Sequence, residues 1–532
     1  MIPFRNNLLF GRHRDKTFAA CLLVAVTVAF TAYVVRLSDV THDAFHEMAL
    51  ARVWWETGRF PVDDVFAFSA TVSPTVHHEW GTGLVLFWVS DLGPLGLDGM
   101  AILRWVLIVG LALLIYRIAR NQGAHPFLLA LCAPMVFPVL WVGFANLRAQ
   151  LFTLVFLAME LLMLQSDARG RRRWILGWAG LYVVWLNMHA GFVVGLALLG
   201  SHVSERWGMA LLLNERGKWQ FPRLLQGSVW RQAFQRYWHH AFLIPITIAG
   251  VLINPWGWLY VPYLIRAITL QRSTMLEWQP LWMSYAPALT VFSFGISLLL
   301  LLYVAKNRRW SRLGGWWFCG LAAWMAWKHL RHGSLYGVLW LACVPGWLTP
   351  TPLGRRAIAW LQNHRNQAMA WAGFLTILCA LFTLSHSPWR STLPKDDPDS
   401  LMVYPVEACA FVLENQWEGN MVTPFVSGGY VSWRCYPQIR VSLDGRYEVA
   451  FREEVLPAHD RFFAAEPGWE NLLNEYEVDL ILVQRSAPVG ERLQSPENMR
   501  RWALVHQDPA FSLFAKREYL MRANASAPAR VE

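Results

Sequence analysis

Apolar runs organise this sequence. Residues 18–35 and 286–305 are nearly unbroken stretches rich in Val, Leu, Phe and Ala, and similar runs recur as far as residue 387. A helix rises about 1.5 Å per residue, so about 20 such residues cross the hydrocarbon core of a bilayer. The pattern predicts spans near 17–36, 100–118, 126–143, 149–165, 174–188, 190–203, 239–254, 286–305, 315–328, 335–349 and 369–387. The total is about eleven, and the short run 190–203 is also compatible with a re-entrant segment. Residues 81–95, "GTGLVLFWVSDLGPL", are apolar but short and broken by Gly and Pro. They predict a helix lying at the interface rather than a further crossing.

From residue 388 the period changes. "ACAFVLENQ", "GNMVTPFVSGGYVSW", "IRVSLDGRYEV" and "VDLILVQR" mix helix-like and strand-like patterns, and 478–483 reads as a buried strand. The expected architecture is a polytopic α-helical membrane domain over 1–387, with a large loop at 37–99, followed by a soluble α/β domain over 388–532. "DGR" at 444–446 reads as a turn near the strand ends, close to Gly428 and Gly429. The closing "ANASAPARVE" reads as a disordered tail.

Composition agrees with the pattern. Of 532 residues, 55% are hydrophobic and only 16% charged, where a soluble domain carries about a quarter. Placement of the net +11 charge then orients the chain. Basic residues collect at Arg5, Arg12, Arg14 and Lys16, and in runs at 169–173, 206–236, 306–312 and 355–365. These are the alternate loops, so the positive-inside rule puts them in the cytoplasm and puts 37–99 and everything after His386 outside. Basic residues so distributed argue against nucleic-acid binding. The first apolar run has a basic flank but no clear small-residue cleavage site, and reads as an uncleaved anchor. Five of the seven cysteines lie in apolar runs; Cys409 and Cys435 in the tail either pair or stay reduced. No Cys-x-x-Cys or Cys/His spacing suggests structural zinc.

Polar residues beside the spans carry the candidate chemistry. From Thr41 the stretch "HDAFHEMALARVWWE" reads as a helix with Asp43, His46 and Glu47 at i, i+3 and i+4, on one face. Asp63 and Asp64 follow a Pro turn, then His77, His78 and Glu79. The plain account is that Asp43 serves a helix start while the histidines decorate an interface. Further along, Asn146, Arg148 and Gln150, Asn187 and His189, Asn254, Glu277, and Lys328, Arg331 and His332 all fall at the outer ends of predicted spans. Arg148 or Arg331 can simply snorkel, but cations gathered opposite carboxylates at one membrane face better suit an anionic lipid phosphate.

These residues resemble the GT-C membrane glycosyltransferases, among them protein O-mannosyltransferases, the lipid A aminoarabinose transferase and oligosaccharyltransferases. The resemblance rests on an acidic residue just after the first span, two juxtamembrane helices, the second ending in "DLGPLGLDG", and a span opened by Arg104 in "ILRWVLIVGLALLIYRIAR". Closer still are multi-spanning bacterial proteins of glycosyltransferase-like type. They share Asp43-x-x-His46, "FPVDDVF", "HHEW", "NLRAQLF", "LNMHAGF", "INPWGW", "GGYVSW" and "DGRYEV". Better-known members often carry a paired acid after the first span and a "PPL" triplet; this chain has "HDAFHE" and "HHEW" instead.

The resemblance implies an inverting transferase in the bacterial inner membrane, with its soluble domain in the periplasm. Its donor would be a polyprenyl-phosphate-linked sugar, its acceptor an envelope protein, glycan or lipid, and its surroundings membrane lipids. The family's loop-one acid maps onto Asp43, as base or acceptor-orienting group, with His46 and Glu47 in support. Asp64, His78, Glu79, Arg104, Arg148, Asn187, His189, Glu277, Lys328, Arg331 and His332 are the candidate substrate contacts. His46, Glu47, His78 and Glu79 either orient Asp43 or hold a divalent cation, magnesium or manganese. Two other classes remain open: a transporter or flippase of a lipid-linked glycan, and a non-enzymatic assembly protein. No internal repeat of the kind transporters carry is evident.

Overall fold

The computed structural model describes residues 13–35, 39–144, 147–213, 219–269, 276–283, 286–308, 313–400, 402–447 and 449–526. Arg5, Arg12, Asn146, the end of the basic run 306–312 and the last six residues therefore lie outside the described residues. The chain forms two compact units. One comprises Met1–Ser38, Ala101–Ile253 and Leu270–Arg390, the other Asp39–Met100, Asn254–Thr269 and Ser391–Glu532. The first loop thus groups with the tail domain rather than with the spans that flank it in sequence.

The first unit is helical. Among the described residues six helices are long and apolar enough to cross a membrane: Asp15–Val35, Asp98–Asn121, Pro126–Gly143, Ala149–Ala168, Ala288–Asn307 and Arg365–Ser385. The other predicted runs also form helices, but shorter or more polar ones. Trp174–Met188 has 15 residues, Trp316–Lys328 has 13, and the 239–254 run breaks into a 3-10 turn and Leu243–Val251. Phe192–Leu212 is 21 residues long but turns polar at "SHVSER".

Gly333–Leu348 is buried along its whole length, as a helix apolar on every face must be. Its few polar atoms are paired inside the unit. Tyr336 shares a 2.9 Å hydrogen bond with Ser297, and the Trp340 indole donates to the Ser297 carbonyl. Those pairings satisfy groups that hydrocarbon cannot.

The second unit is built on a five-stranded sheet in the order β2–β1–β3–β5–β4. The strands are β1 (Gly419–Val422), β2 (Ile439–Val441), β3 (Leu480–Gln484), β4 (Trp502–Gln507) and β5 (Phe511–Lys516). β1 pairs in parallel with β2 and β3, while β5 runs antiparallel to β3 and β4. The strand expected at 478–483 is the central β3, whose "LILV" is buried on both faces. Its neighbours Val422, Phe462, Trp502 and Phe514 complete the core. "FVSGGYVSW" forms a helix, Phe425–Cys435, and the last helix runs to Ser526. The first four residues of the tail expected to be disordered are therefore helical.

The first loop completes this sheet. Phe68 N–H donates to the Val441 carbonyl and Val441 N–H to the Phe66 carbonyl, so residues 66–68 cover the β2 edge. What fixes that segment is an ion group. Arg446 forks onto Asp444 and reaches Asp64, and the side chains of Asp64 and Asp444 are fully shielded from solvent. Asp64 also accepts from the backbone N–H groups of Phe66 and Ala67. "DGR" does form a turn, and its two charges bind the first loop.

Cys409 and Cys435 are free, buried thiols in contact with each other, and the Cys435 thiol together with burial pushes Cys409 well up from its ordinary value.

Removing one partner from a buried ion group leaves an uncompensated charge, at a cost of about 3–5 kcal/mol. Arg446→Ala is therefore expected to destabilise the tail domain by about that much. Alkylation of Cys409 and Cys435 along a denaturant series reads it out, with the midpoint moving to lower denaturant. An unmoved midpoint contradicts the role given to Arg446.

Candidate functional site

The helix His42–Thr57 carries the site in the second unit. Thr41 sits in extended conformation at its N-cap, and Asp43 in the first turn suits the positive end of the helix dipole. Gly58 ends the helix in the left-handed region at φ +73. Its apolar face buries Ala44, Phe45, Met48, Leu50 and Val53. Phe45 lies 5.0 Å from the rings of Tyr404 and Tyr430 and 5.2 Å from Trp433, so the tail domain grips the helix beside Asp43.

Two glycines permit the approach. A Cβ at Gly445 would stand 2.8 Å from the His42 ring and 3.2 Å from His46 Nδ1. One at Gly83 would stand 2.5 Å from the Glu47 carbonyl oxygen, which lets the second loop helix, Trp80–Ser90, pack against the first.

Three His–acid neighbours result. His42 Nε2 lies 3.1 Å from Asp43, His46 Nε2 3.3 Å from Glu47, and His78 Nε2 3.2 Å from Glu79. Exposure separates them: the Asp43 side chain is 33% exposed, whereas His46 and Glu47 are each 7% exposed. Tyr263 contacts His78 Nδ1 at 2.7 Å and stacks on its ring.

Burial lowers the His46 pKa, but the Glu47 hydrogen bond and the charges of Glu47, Asp444 and Asp43 outweigh it and raise the value overall. His77 goes the other way. Burial, then the charges of Arg446, His46 and His78, hold it well below the usual imidazole range, so it stays neutral. Asp444 is held below the carboxylate range because Arg446 overcomes its burial. Asp43, His46, Glu47, His78 and Glu79 thus belong to one electrostatic neighbourhood. Asp64 belongs to it only as a strut, with its carboxylate fully engaged inside the protein.

The membrane unit gathers the basic candidates around one acid. Arg148 closes the start of helix Ala149–Ala168 and lies 3.1 Å from Glu277, while Arg331 lies 3.5 Å from its other oxygen. Arg331 also sits over the Trp278 ring at 4.5 Å. One carboxylate between two guanidiniums leaves a net positive charge, and all three side chains are 22–32% exposed. Lys328 ends the neighbouring helix, exposed.

The remaining candidates have structural partners. His332 is driven down to about 3 by burial, then by Arg331 and His329, so it brings no charge to an anion. Asn187 bridges the Val183 and Ile253 carbonyls. His189 shares a 2.7 Å hydrogen bond with Thr153 and accepts from Gly191 N–H. Arg104 is buried against Trp105.

Tyr263 and the Asp444–Arg446 pair were not among the expected site residues. Tyr263 stands 185 positions from His78 with no local motif to flag it.

No protein-family model matches this sequence, and no curated protein does. Solved structures do. The apo oligosaccharyltransferase of Archaeoglobus fulgidus matches with TM-score 0.52 and 10% identity, over 88% of this chain and 69% of that one. The fold resembles that of an archaeal oligosaccharyltransferase. The same enzyme tethered to an acceptor peptide containing an NVT sequon matches with TM-score 0.55 at 10% identity, over the same shares. AglB from that organism, with an inhibitory peptide and a dolichol-phosphate, gives 0.51 at 10%, over 88% and 70%. The GT-C resemblance read from the sequence holds at the level of fold.

The raised His46 value has a signed consequence. Its stabilisation is fully present below the ordinary value of 6.5 and is lost as pH rises through the higher folded value. Wild type is therefore expected to outlast His46→Gln in thermal unfolding at pH 6, with the advantage shrinking above pH 6.5. An advantage that grows with pH contradicts the assignment.

Proposed function

We propose that this chain is an inverting glycosyltransferase of the bacterial inner membrane. It moves a sugar from a polyprenyl-phosphate carrier to an acceptor of the cell envelope, on the outer side. The observation that carries this reading is Asp43, a carboxylate 33% exposed at the head of a helix whose neighbouring His46 and Glu47 are buried. It is supported by the shared fold with an enzyme solved with an acceptor peptide and with a dolichol-phosphate.

The chemistry needs a base and a cation. An acceptor X–H gives its proton to the Asp43 carboxylate while X bonds to the anomeric carbon from the face opposite the phosphate. The bond from that carbon to the phosphate oxygen breaks, and its electron pair leaves with the lipid phosphate. Within the membrane unit, Arg148 and Arg331 form a cationic pair whose guanidinium forks suit a lipid phosphate better than ammonium groups do. Glu277 pre-orients both forks. Neutral His77 and protonated His46 set the charge around the helix. No step here runs through a divalent ion.

The test is sugar transfer from a purified lipid-linked donor. Asp43→Asn is expected to lose about a hundred- to ten-thousand-fold in rate while inserting normally in the membrane. Arg148→Ala and Arg331→Ala are expected chiefly to raise the donor KM. If Asp43→Asn keeps more than about a tenth of the wild-type rate, Asp43 is not the base.

A further inference from the structure

We propose a zinc site at the end of helix Ala149–Ala168 opposite Arg148, built from Asp167, His239 and His240. The Nε2 atoms of His202 and His240 lie 2.8 and 3.3 Å from Asp167 Oδ2, and that of His239 lies 2.8 Å from Oδ1. Asp167, His239 and His240 each offer a ligand atom within 4.8 Å of the others, and His202 bonds the same carboxylate from beside that group. All four side chains are 2–7% exposed.

Two imidazoles and one carboxylate are donors that zinc takes in tetrahedral geometry, with a water in the fourth position. With bonds of about 2.0–2.1 Å, neighbouring ligand atoms stand about 3.3 Å apart, within about half an ångström of the His–Asp separations of 2.8 and 3.3 Å.

Two further observations point to a ligand. The Nδ1 atoms of His239 and His240 are buried and have no hydrogen-bond partner among the described residues. Without an ion each Nε2 donates its proton to Asp167; a bound ion takes the Nε2 lone pair instead, with the ring proton on Nδ1. The Trp174 indole N–H holds Asp167 Oδ1 at 3.0 Å, the kind of outer contact that orients a ligating carboxylate.

His239 and His240 stand 72 and 73 positions from Asp167, so an ion here ties the segment around 238–242 to helix Ala149–Ala168. With 20 residues in helix Ala149–Ala168, the site lies about 30 Å from Arg148. It is thus separate from the phosphate group proposed above. On the charge rule it faces the basic-loop side, the cytoplasm.

The test uses full-length protein purified from zinc-supplemented cells, with zinc counted by mass spectrometry. About one zinc per chain is expected in wild type and less than about a tenth in the His239→Ala/His240→Ala double variant. Cobalt(II) alone, added to metal-free wild type, is expected to give the intense visible absorption of a tetrahedral ion. A chelator is expected to lower the Tm of wild type but not of the variant. Asp167→Asn, nearly isosteric, repeats the count should the double variant fail to fold. Wild type without zinc and without the cobalt absorption overturns the proposal and leaves a hydrogen-bonded network. Zinc retained equally by the variants overturns it too, since the ion then sits elsewhere.

Discussion

Arg446 sits in a buried site with a carboxylate on either side, and the soluble unit depends on that arrangement. A lone guanidinium there would be expelled, and two lone carboxylates would be protonated or pushed apart. Burial works against the Arg446 charge, but Asp444 and Asp64 outweigh it and hold the guanidinium even more basic than usual. The consequence is topological. Asp64 comes from the first loop and Asp444 from the tail, so the ion group fixes residues 66–68 along the β2 edge. That in turn sets helix His42–Thr57 against the helix Phe425–Cys435 through Phe45 and Trp433.

The same packing distinguishes Asp43 from its neighbours. Glu47 and His46 lie one turn further along the helix and are buried, where pairing with Glu47 favours the charged form of His46 against its burial. Asp43 stands at the exposed start, with solvent access and a helix dipole that favours its ionised form. A base needs both a proton-accepting charge and a path to the acceptor, and Asp43 at 33% exposure has a path that Glu47 at 7% lacks. In the membrane unit, Arg148 and Arg331 keep their forks oriented because Glu277 binds both while leaving each partly exposed.

Much of this could be read along the chain, and the limits have physical causes. Hydrophobic runs located the helices because a helix buries or exposes its own contiguous residues. They did not fix how many cross a membrane, because runs such as 239–254 carry turn-forming breaks that only packing resolves. The strand at 478–483 was legible since a strand buried on both faces needs an unbroken apolar string, which "LILV" supplies. Asp43, His46 and Glu47 were legible as a helical face. Arg446 was not legible as a partner of Asp64, since 382 positions separate them and neither has a local signature beyond a turn. His239 and His240 went unremarked because no cysteine or regular spacing accompanies them; only the return of the chain to Asp167 gives them meaning. Asp64, a charge in a suggestive loop, is held inside the protein by Arg446, a partner its local sequence does not announce.

The central claim is that Asp43 belongs to an enzyme consuming a lipid-linked sugar. The most direct measurement is mass spectrometry of envelope glycans, glycoproteins and polyprenyl-phosphate-linked sugars from cells with and without this chain. The account predicts that one glycan modification disappears without it while its lipid-linked precursor accumulates, and that wild type restores both. Unchanged glycans together with an unchanged lipid-linked pool would contradict it.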